Sequence, residues 1–313
     1  MGKRRRIKGD SKMMDTGYEP RGPVVGPMLV TRAVNSQQAK CGLAWCDQRR
    51  IGWSAHGPDM RTVVSSDSDV LYIEFPKSSL SCVSLPPIAT VCGRQFRRVY
   101  DRFYLPFRAS AVEIGSIFDA LAPDYETECI CDTAFNQRVY LGLLEAVFGR
   151  IEPAPSNNGS LRILDYGCGT GLISVAARQW HPSLDLKLFG VDLSKKMVER
   201  SQSRGINAAW TSDARIPFPN GFFDAVICAF VTYFFPDSEP FREIHRVLRP
   251  GGAVGFNEFK PCKSWQQAKQ RELQYVGFNQ PDFKSLTVSS PHLTRRVEIA
   301  TASKQFDPVP SIG

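Results

Sequence analysis

From Leu161 onward, short apolar runs and helical patterns alternate so regularly that few architectures can hold them. LRILDYG (161–167) reads as a strand and GLISVAARQW (171–180) as a helix. LKLFGVDL (186–193) is again a strand. It is followed by the helix SKKMVERSQSR (194–204), with Ser194 placed as N-cap and Gly205 just past the end. AAWTSD (208–213) and the nearly all-apolar FDAVICAF (223–230) are strands. The helix EPFREIHRVLR (239–249) sets Phe241, Ile244 and Leu248 on one face and stops at Pro250-Gly251. GAVGFNEF (252–259), the helix SWQQAKQRELQYVGF (264–278), KSLTVSS (284–290) and RRVEIATAS (295–303) complete the series. Strands that are apolar on both faces and separated by helices predict an α/β fold, a parallel sheet covered on each side.

Upstream the pattern changes. Residues 112–122 and 133–151 carry helical spacing, with Phe135, Val139, Leu143 and Val147 on one stripe. Residues 1–110 mix Gly, Pro, Ser and charges, and only RTVVSS (61–66) and DVLYIEF (69–75) read as strands. The expected organisation is a basic, poorly structured or unassigned N-terminal extension, 1–110, followed by one domain, 111–313.

The net charge of +8 raises the question of a nucleic-acid partner, and its distribution answers it. Residues 1–110 hold 18 Lys/Arg against 9 Asp/Glu, whereas residues 111–313 hold 21 against 22. The α/β part therefore offers no basic track for phosphates, and no stable nucleic-acid partner is expected. Lys3, Arg4, Arg5, Arg6 and Lys8 read as a solvated basic tail. The nine cysteines include no C-x-x-C pair, so no metal site is expected and free thiols in a reducing compartment are. No run reaches 18 apolar residues, which predicts no membrane span, and no apolar h-region follows the basic start. A cytoplasmic location is expected on these grounds.

The first strand ends at Asp165 and runs into Gly167, Gly169 and Gly171 before a helix begins. Ligands of doubly wound sheets bind outside the carboxyl ends of the strands, and glycine lets them approach the main chain. The spacing D-x-G-x-G-x-G differs from the dinucleotide G-x-G-x-x-G. A carboxylate ahead of the glycines repels a phosphate and suits a cation, such as an ammonium or a sulfonium. Asp192, ending the second strand, is placed to accept from both hydroxyls of a ribose. Asp213, after the third strand, is placed to accept from an adenine amine, with the Ala214 N–H beside it. An amino acid, a ribose and an adenine together outline S-adenosylmethionine.

ILDYGCGTG (163–171), GVDLS (190–194), SDARIPFPNGFFDAVIC (212–228), FREIHRVLRPGG (241–252) and LQYVGF (273–278) occur in an order and spacing that resemble class I S-adenosylmethionine-dependent methyltransferases. The resemblance is to the small-molecule group similar to the ubiquinone/menaquinone C-methyltransferases, and it covers residues 111–303. FDALAPDYE (118–126) resembles the helix and loop these enzymes place over the cofactor. The resemblance implies a Rossmann-like, doubly wound seven-stranded sheet of order 3-2-1-4-5-7-6, the last strand antiparallel. It also implies that Asp165, Gly167 and Gly169 hold the methionine part of the cofactor, with Cys168 and Gly171 among the cofactor-binding residues. Asp192 would then serve the ribose, Asp213 and Ala214 the adenine, Ala229 and Phe230 would flank the methionine, and Leu193 is a further cofactor-binding residue. Cys168 reads as a small filler rather than a nucleophile, His245 as a surface residue, and Asp224 as a structural acid at a strand entry. Trp210 is packing or an adenine wall.

Displacement at a sulfonium methyl needs alignment more than acid–base help, and no catalytic residue stands out. Tyr233, Glu258 and Tyr125 are the candidates. The expected function is methyl transfer to a small-molecule acceptor, whose pocket YFF (233–235) would make aromatic. The alternatives are a non-catalytic S-adenosylmethionine-binding partner subunit, or an RNA or protein methyltransferase guided by the basic N-terminus.

Overall fold

The computed structural model describes residues 44–47, 50–53, 61–64, 70–74, 88–91, 94–100, 103–128, 133–151, 160–234, 237–259, 262–290 and 294–305. The basic run at residues 3–8, residues 152–159 and Phe235 lie outside them. The chain divides into two compact units, Met1–Arg108 and Ala109–Gly313.

In the first unit, β1 (Ala44–Asp47) and β2 (Arg50–Trp53) form an antiparallel pair. Next come β3 (Arg61–Val64), β4 (Val70–Glu74), β5 (Ile88–Val91), β6 (Arg94–Tyr100) and β7 (Phe103–Pro106). These five make an antiparallel sheet of order β3-β4-β7-β6-β5. Sequence reading found β3 and β4 and left the other three unassigned. In β6 the pairing register shifts between Arg98 and Tyr100. Phe96 and Val99 are both buried although an odd number of residues apart, so the plain alternation that marks a strand is broken.

The second unit opens with α1 (Ala111–Leu121), started by a capping box in which Ser110 and Glu113 satisfy each other's backbone N–H groups. A 3-10 turn (Ala122–Asp124), α2 (Tyr125–Glu128) and α3 (Thr133–Phe148) follow. Then come β8 (Ser160–Tyr166), α4 (Leu172–Trp180), β9 (Asp185–Asp192), α5 (Lys195–Ser203) and β10 (Asn207–Trp210). The chain continues through β11 (Phe223–Cys228), α6 (Glu239–Val247), β12 (Leu248–Glu258), α7 (Lys263–Val276), β13 (Asp282–Ser289) and β14 (Thr294–Ser303). The seven strands order as β10-β9-β8-β11-β12-β14-β13, with β14 antiparallel to both neighbours. Counted from β8, this is 3-2-1-4-5-7-6 with the seventh strand reversed, as the resemblance implied.

Strand pleat sorts the side chains between two layers. Leu164, Tyr166, Val226, Cys228, Val254 and Phe256 pack with Phe241, Ile244 and Val247 of α6 and Leu273 of α7. The alternate residues face α3. There Gly255 leaves room for Val147, whose Cγ2 lies 2.1 Å from where a glycine-borne Cβ would stand. The row Asp165, Ile227, Gly255 crosses three paired strands on this side. Asp165 therefore emerges at the strand tips beneath α3, which is the geometry that makes the site.

Asp224 is a structural acid, as its place at a strand entry suggested. Its Oδ2 accepts from the Arg162 N–H at 2.8 Å and its Oδ1 from Arg249 at 2.6 Å. His245 differs from expectation: it is half-buried, with its ring edge-on to Phe278.

Candidate functional site

Asp165, Gly167, Cys168, Gly169, Thr170, Leu172 and Ile173 of the loop and first helical turn line a cleft of about 330 Å³ that opens to solvent. Tyr125, Tyr140, Ala229 and Phe230 line its other sides. The loop follows from its glycines: Gly167, Gly169 and Gly171 have φ of +73°, +50° and +83°, values that side-chain-bearing residues rarely hold.

The loop's donors are already engaged. The Gly167 and Cys168 N–H groups both donate to the Val191 carbonyl, at 2.8 and 3.0 Å. The Gly169 N–H donates to Asp192 Oδ2 at 2.8 Å. A phosphate site needs such N–H groups pointing at the ligand, and here they point back at β9. The cleft instead presents an acceptor. Asp165 is buried and its Oδ2 has no hydrogen-bond partner among the described residues. Burial first, and then the charge of Asp192, push its carboxyl well above the usual carboxylate range. A bound cation would relieve both effects, so the residues present fit the α-ammonium of S-adenosylmethionine.

Asp192 joins the site through the loop. Its Oδ1 accepts from the Ser194 N–H at 2.8 Å, so both oxygens hold backbone while each keeps a lone pair that could accept a further donor. Burial raises its carboxyl to about 6, against the lowering by these backbone N–H groups. Leu193 offers its carbonyl to Trp210 Nε1 at 3.0 Å, and Lys195 Nζ lies 4.5 Å from the centre of that indole. Trp210 is 45% exposed, so it is no core residue. Asp213 is exposed and folded into a tight turn, its Oδ1 accepting from the Arg215 N–H at 2.8 Å. The Ala214 carbonyl accepts from the Tyr166 hydroxyl at 3.3 Å. Asp192, Leu193, Asp213, Ala214 and Gly171 stand outside the cleft lining, Gly171 serving as the N-cap of α4.

Cys168 lines the cleft, but its thiol packs against Gly190, where an added Cβ would lie 2.8 Å from the sulfur. Burial, and then Asp192 and Asp165, push the thiol up, so it is not a thiolate nucleophile.

The three catalytic candidates part company. Tyr125 lines the cleft, its Cε1 4.0 Å from where a Cβ on Gly169 would stand. Tyr233 lies in a 3-10 turn (Thr232–Phe234) with its ring 4.8 Å from that of Phe234, away from the cleft lining. Glu258 is buried on the α7 side of β12, opposite Glu298, and its Oε1 accepts from the Phe259 N–H at 2.7 Å. The pleat directs it away from the cleft.

The structure adds the conformation of Phe230, which was expected beside the methionine, and brings in Asn257, Tyr140, Asp119 and Arg204, which sequence reading missed. Phe230 is the one non-glycine with positive φ among the described residues, at +61°. Its N–H donates to Oδ1 of the fully buried Asn257 at 2.8 Å, which holds this costly conformation at the tip of β11. Tyr140 of α3 sits with its ring centre 5.8 Å from that of Phe230. Asp119 of α1 accepts from Ser194 Oγ at 2.6 Å and from the Lys196 N–H at 3.0 Å, tying α1 to the start of α5. Glu126 pairs with Arg204 at 2.8 Å and Arg200 at 3.4 Å, while Arg204 also donates to the Thr170 carbonyl. This clamp holds α2, and Tyr125 with it, over the glycine loop. Only the paired arginines on one helix face could have signalled it.

The sheet order, the acceptor-lined glycine loop and the acid at the tip of β9 are the arrangement that the resemblance to class I S-adenosylmethionine-dependent methyltransferases implied. Residues 164–256 match the family described as methyltransferase domain. Among curated proteins, the chain is 28% identical to 27-O-demethylrifamycin SV methyltransferase of Amycolatopsis mediterranei, over 58% of this chain and 71% of that one. It is 35% identical to demethylmenaquinone methyltransferase of Thermus thermophilus, over 36% of this chain and 50% of that one. It is 31% identical to the ubiquinone/menaquinone biosynthesis C-methyltransferase of Geotalea daltonii, over 47% and 63%. The chain thus spans between half and about seven tenths of the length of these relatives. Among the described residues no helix is long and apolar enough to cross a membrane.

Proposed function

We propose that the protein transfers the methyl group of S-adenosylmethionine to a small organic acceptor, and that it does so by orientation. The observation that carries this reading is the buried, unpartnered Asp165 Oδ2 in a loop whose N–H groups are already bonded. When bound, S-adenosylmethionine supplies an electrophilic methyl on a sulfonium. The chain's own residues bind and aim it. Asp165 takes the ammonium, Asp192 the ribose, Asp213 and Ala214 the adenine edge. Gly167, Gly169 and Gly171 keep the main chain clear. Cys168, Leu193, Ala229 and Phe230 complete the wall, and Tyr125 covers the cleft under the Glu126 clamp. Alignment of this kind contributes up to about 7–11 kcal/mol to a bimolecular step.

The acceptor side is aromatic. Phe118 lies between Tyr125 at 6.1 Å and Phe234 at 5.5 Å, and Tyr140, Phe230 and Phe259 continue on the other side. Such walls favour a flat, largely apolar acceptor. The relatives act on demethylrifamycin SV and demethylmenaquinone, and we infer an acceptor of comparable kind for this chain. A cytoplasmic enzyme of secondary metabolism accords with that inference.

The test is titration of the purified full chain with S-adenosylmethionine and S-adenosylhomocysteine by calorimetry. Labelled methyl transfer into small-molecule extracts follows. Binding in the micromolar range with label entering an extractable metabolite is expected. Absence of binding to both ligands would remove the cofactor assignment, and label found only in RNA or protein would remove the acceptor class.

A further inference from the structure

Two buried amides on the acceptor side carry polar atoms that the fold itself does not use: Asn136 of α3 and Asn257 near the end of β12. Asn136 Oδ1 and Asn257 Nδ2 have no hydrogen-bond partner among the described residues. A buried polar atom left unbonded lowers stability, so each one calls for a reason. For Asn257 the free atom is identified by its neighbour. Its Oδ1 accepts from the Phe230 N–H at 2.8 Å, and only the oxygen of an amide accepts, so what remains free is the donor.

Both amides adjoin one group of rings. Strand pleat puts Asn257 on the same face of β12 as Gly255 and Phe259. That is the face α3 covers: Gly255 meets Val147, and the Phe259 ring stacks on that of Phe135 at 6.2 Å. Asn136 follows Phe135 directly and stands one turn before Tyr140 on the same side of the helix. The Tyr140 ring lies 5.8 Å from that of Phe230, which stacks on Phe259 at 5.2 Å. The wall around the amides is otherwise apolar, with Phe135, Val139 and Phe259 all buried. The free donor and the free acceptor are not bonded to each other, so a third group is needed to satisfy them. A carbonyl or an ether only accepts and an ammonium only donates, whereas a hydroxyl does both at a single atom.

We propose that Asn136 and Asn257 read a hydroxyl on the methyl acceptor, Asn257 Nδ2 donating to its oxygen and Asn136 Oδ1 accepting from it. The proposal rests on the cofactor and acceptor reading above and narrows the acceptor class to a flat, largely apolar molecule of phenol or enol type. Both amides are specificity residues. Neither takes up a proton, so neither is a base for the transfer.

The experiment uses two probes, 2-naphthol and 2-methylnaphthalene, which differ only by a hydroxyl against a methyl group. Their affinities for the full chain saturated with S-adenosylhomocysteine are measured by equilibrium dialysis in the wild type, Asn136→Leu and Asn257→Ala. The readout is the change in the naphthol-to-methylnaphthalene affinity ratio, in which each probe's own hydration cancels. So does any loss common to both probes when Phe230 is released in Asn257→Ala. Each variant should lower the ratio about two- to thirteenfold, the range of one net hydrogen bond. Asn136→Ala replaces the leucine variant if that one loses its fold, which binding of S-adenosylhomocysteine reports. An unchanged ratio in both variants would mean that the amides hold an ordered water only, and would overturn the proposal. A fall in one variant alone would mean a group that only donates or only accepts, and would overturn the hydroxyl. Binding of neither probe to the wild type refutes the acceptor class while the cofactor reading stands. If the wild type does not bind S-adenosylhomocysteine, the cofactor reading falls and takes the proposal with it.

Discussion

Replacing Asp165 by asparagine should separate function from stability, because the two should move in opposite directions. The carboxylate is 3% exposed and its Oδ2 has no partner. In the free protein it is therefore a liability, held well above its usual range by burial and by Asp192. Asparagine keeps the shape and removes the charge. Loss of one charge-assisted hydrogen bond to the ligand's ammonium corresponds to about 1.5–3 kcal/mol, or roughly 10- to 150-fold in affinity. The ligand-free variant should melt at the wild-type temperature or above it, as residues placed for function rather than stability do. Calorimetric titration and thermal unfolding of the same preparations measure both. The pH dependence follows from the sign of the shift. An acid raised on folding is favoured when protonated, so its contribution to stability is full below the unfolded value. That contribution is lost as pH climbs through the folded one. Asp192, raised to about 6, adds the same slope between about pH 4 and pH 6. A cationic ligand favours the ionised form, so its affinity should rise over the same climb, with proton release on binding. Asp165→Asn should flatten both trends. A variant that melts markedly lower while binding S-adenosylmethionine as tightly as the wild type would show that Asp165 is structural, and would refute the reasoning.

Asp192→Ala should weaken S-adenosylmethionine by about 1–3 kcal/mol, the scale of a lost charge-assisted bond. Because Asp192 also holds the Gly169 and Ser194 N–H groups, faster amide exchange at those two positions should accompany the loss, and unchanged exchange would count against the loop-holding role. Arg249→Ala breaks the ion pair of the buried Asp224 carboxylate, which keeps the Arg162 N–H, and chemical denaturation should show a loss of about 3–5 kcal/mol without any change in cofactor affinity. Arg204→Ala opens a half-exposed clamp worth at most about 1 kcal/mol, so ligand dissociation measured by stopped flow should quicken by up to about fivefold. The effect should shrink in high salt, and an effect indifferent to salt would point to packing instead.

Much of this could be read in the residues because the signals are local. A strand apolar on both faces, a helix with one stripe and a glycine loop between them declare themselves within one short stretch, as Ile163 to Trp180 does. The acids at the ends of β8 and β9 were legible for the same reason: a strand's last residue is set by where its apolar run stops. The β-rich first unit was harder, since the irregular register in β6 hides its period. Tyr140 was invisible as a site residue. It lies one position past Val139 on an ordinary core stripe, and only the packing of α3 over the tips of β8 and β11 brings it to the cleft.

Glu258 shows the limit from the other side. Sequence places it at the tip of a strand beside the site, and the pleat turns its carboxylate to the opposite layer, across from Glu298. Sequence by itself determined the element types, the glycine bend and the carboxylates that could meet a cationic nucleoside, because backbone propensity and hydrophobic period act over a few residues. Tertiary structure alone decided which side chains share the cleft, how Asn257 fixes Phe230, and which acid faces the ligand. Those choices depend on strand register and on a helix docking across residues distant in the chain, and no local pattern encodes them.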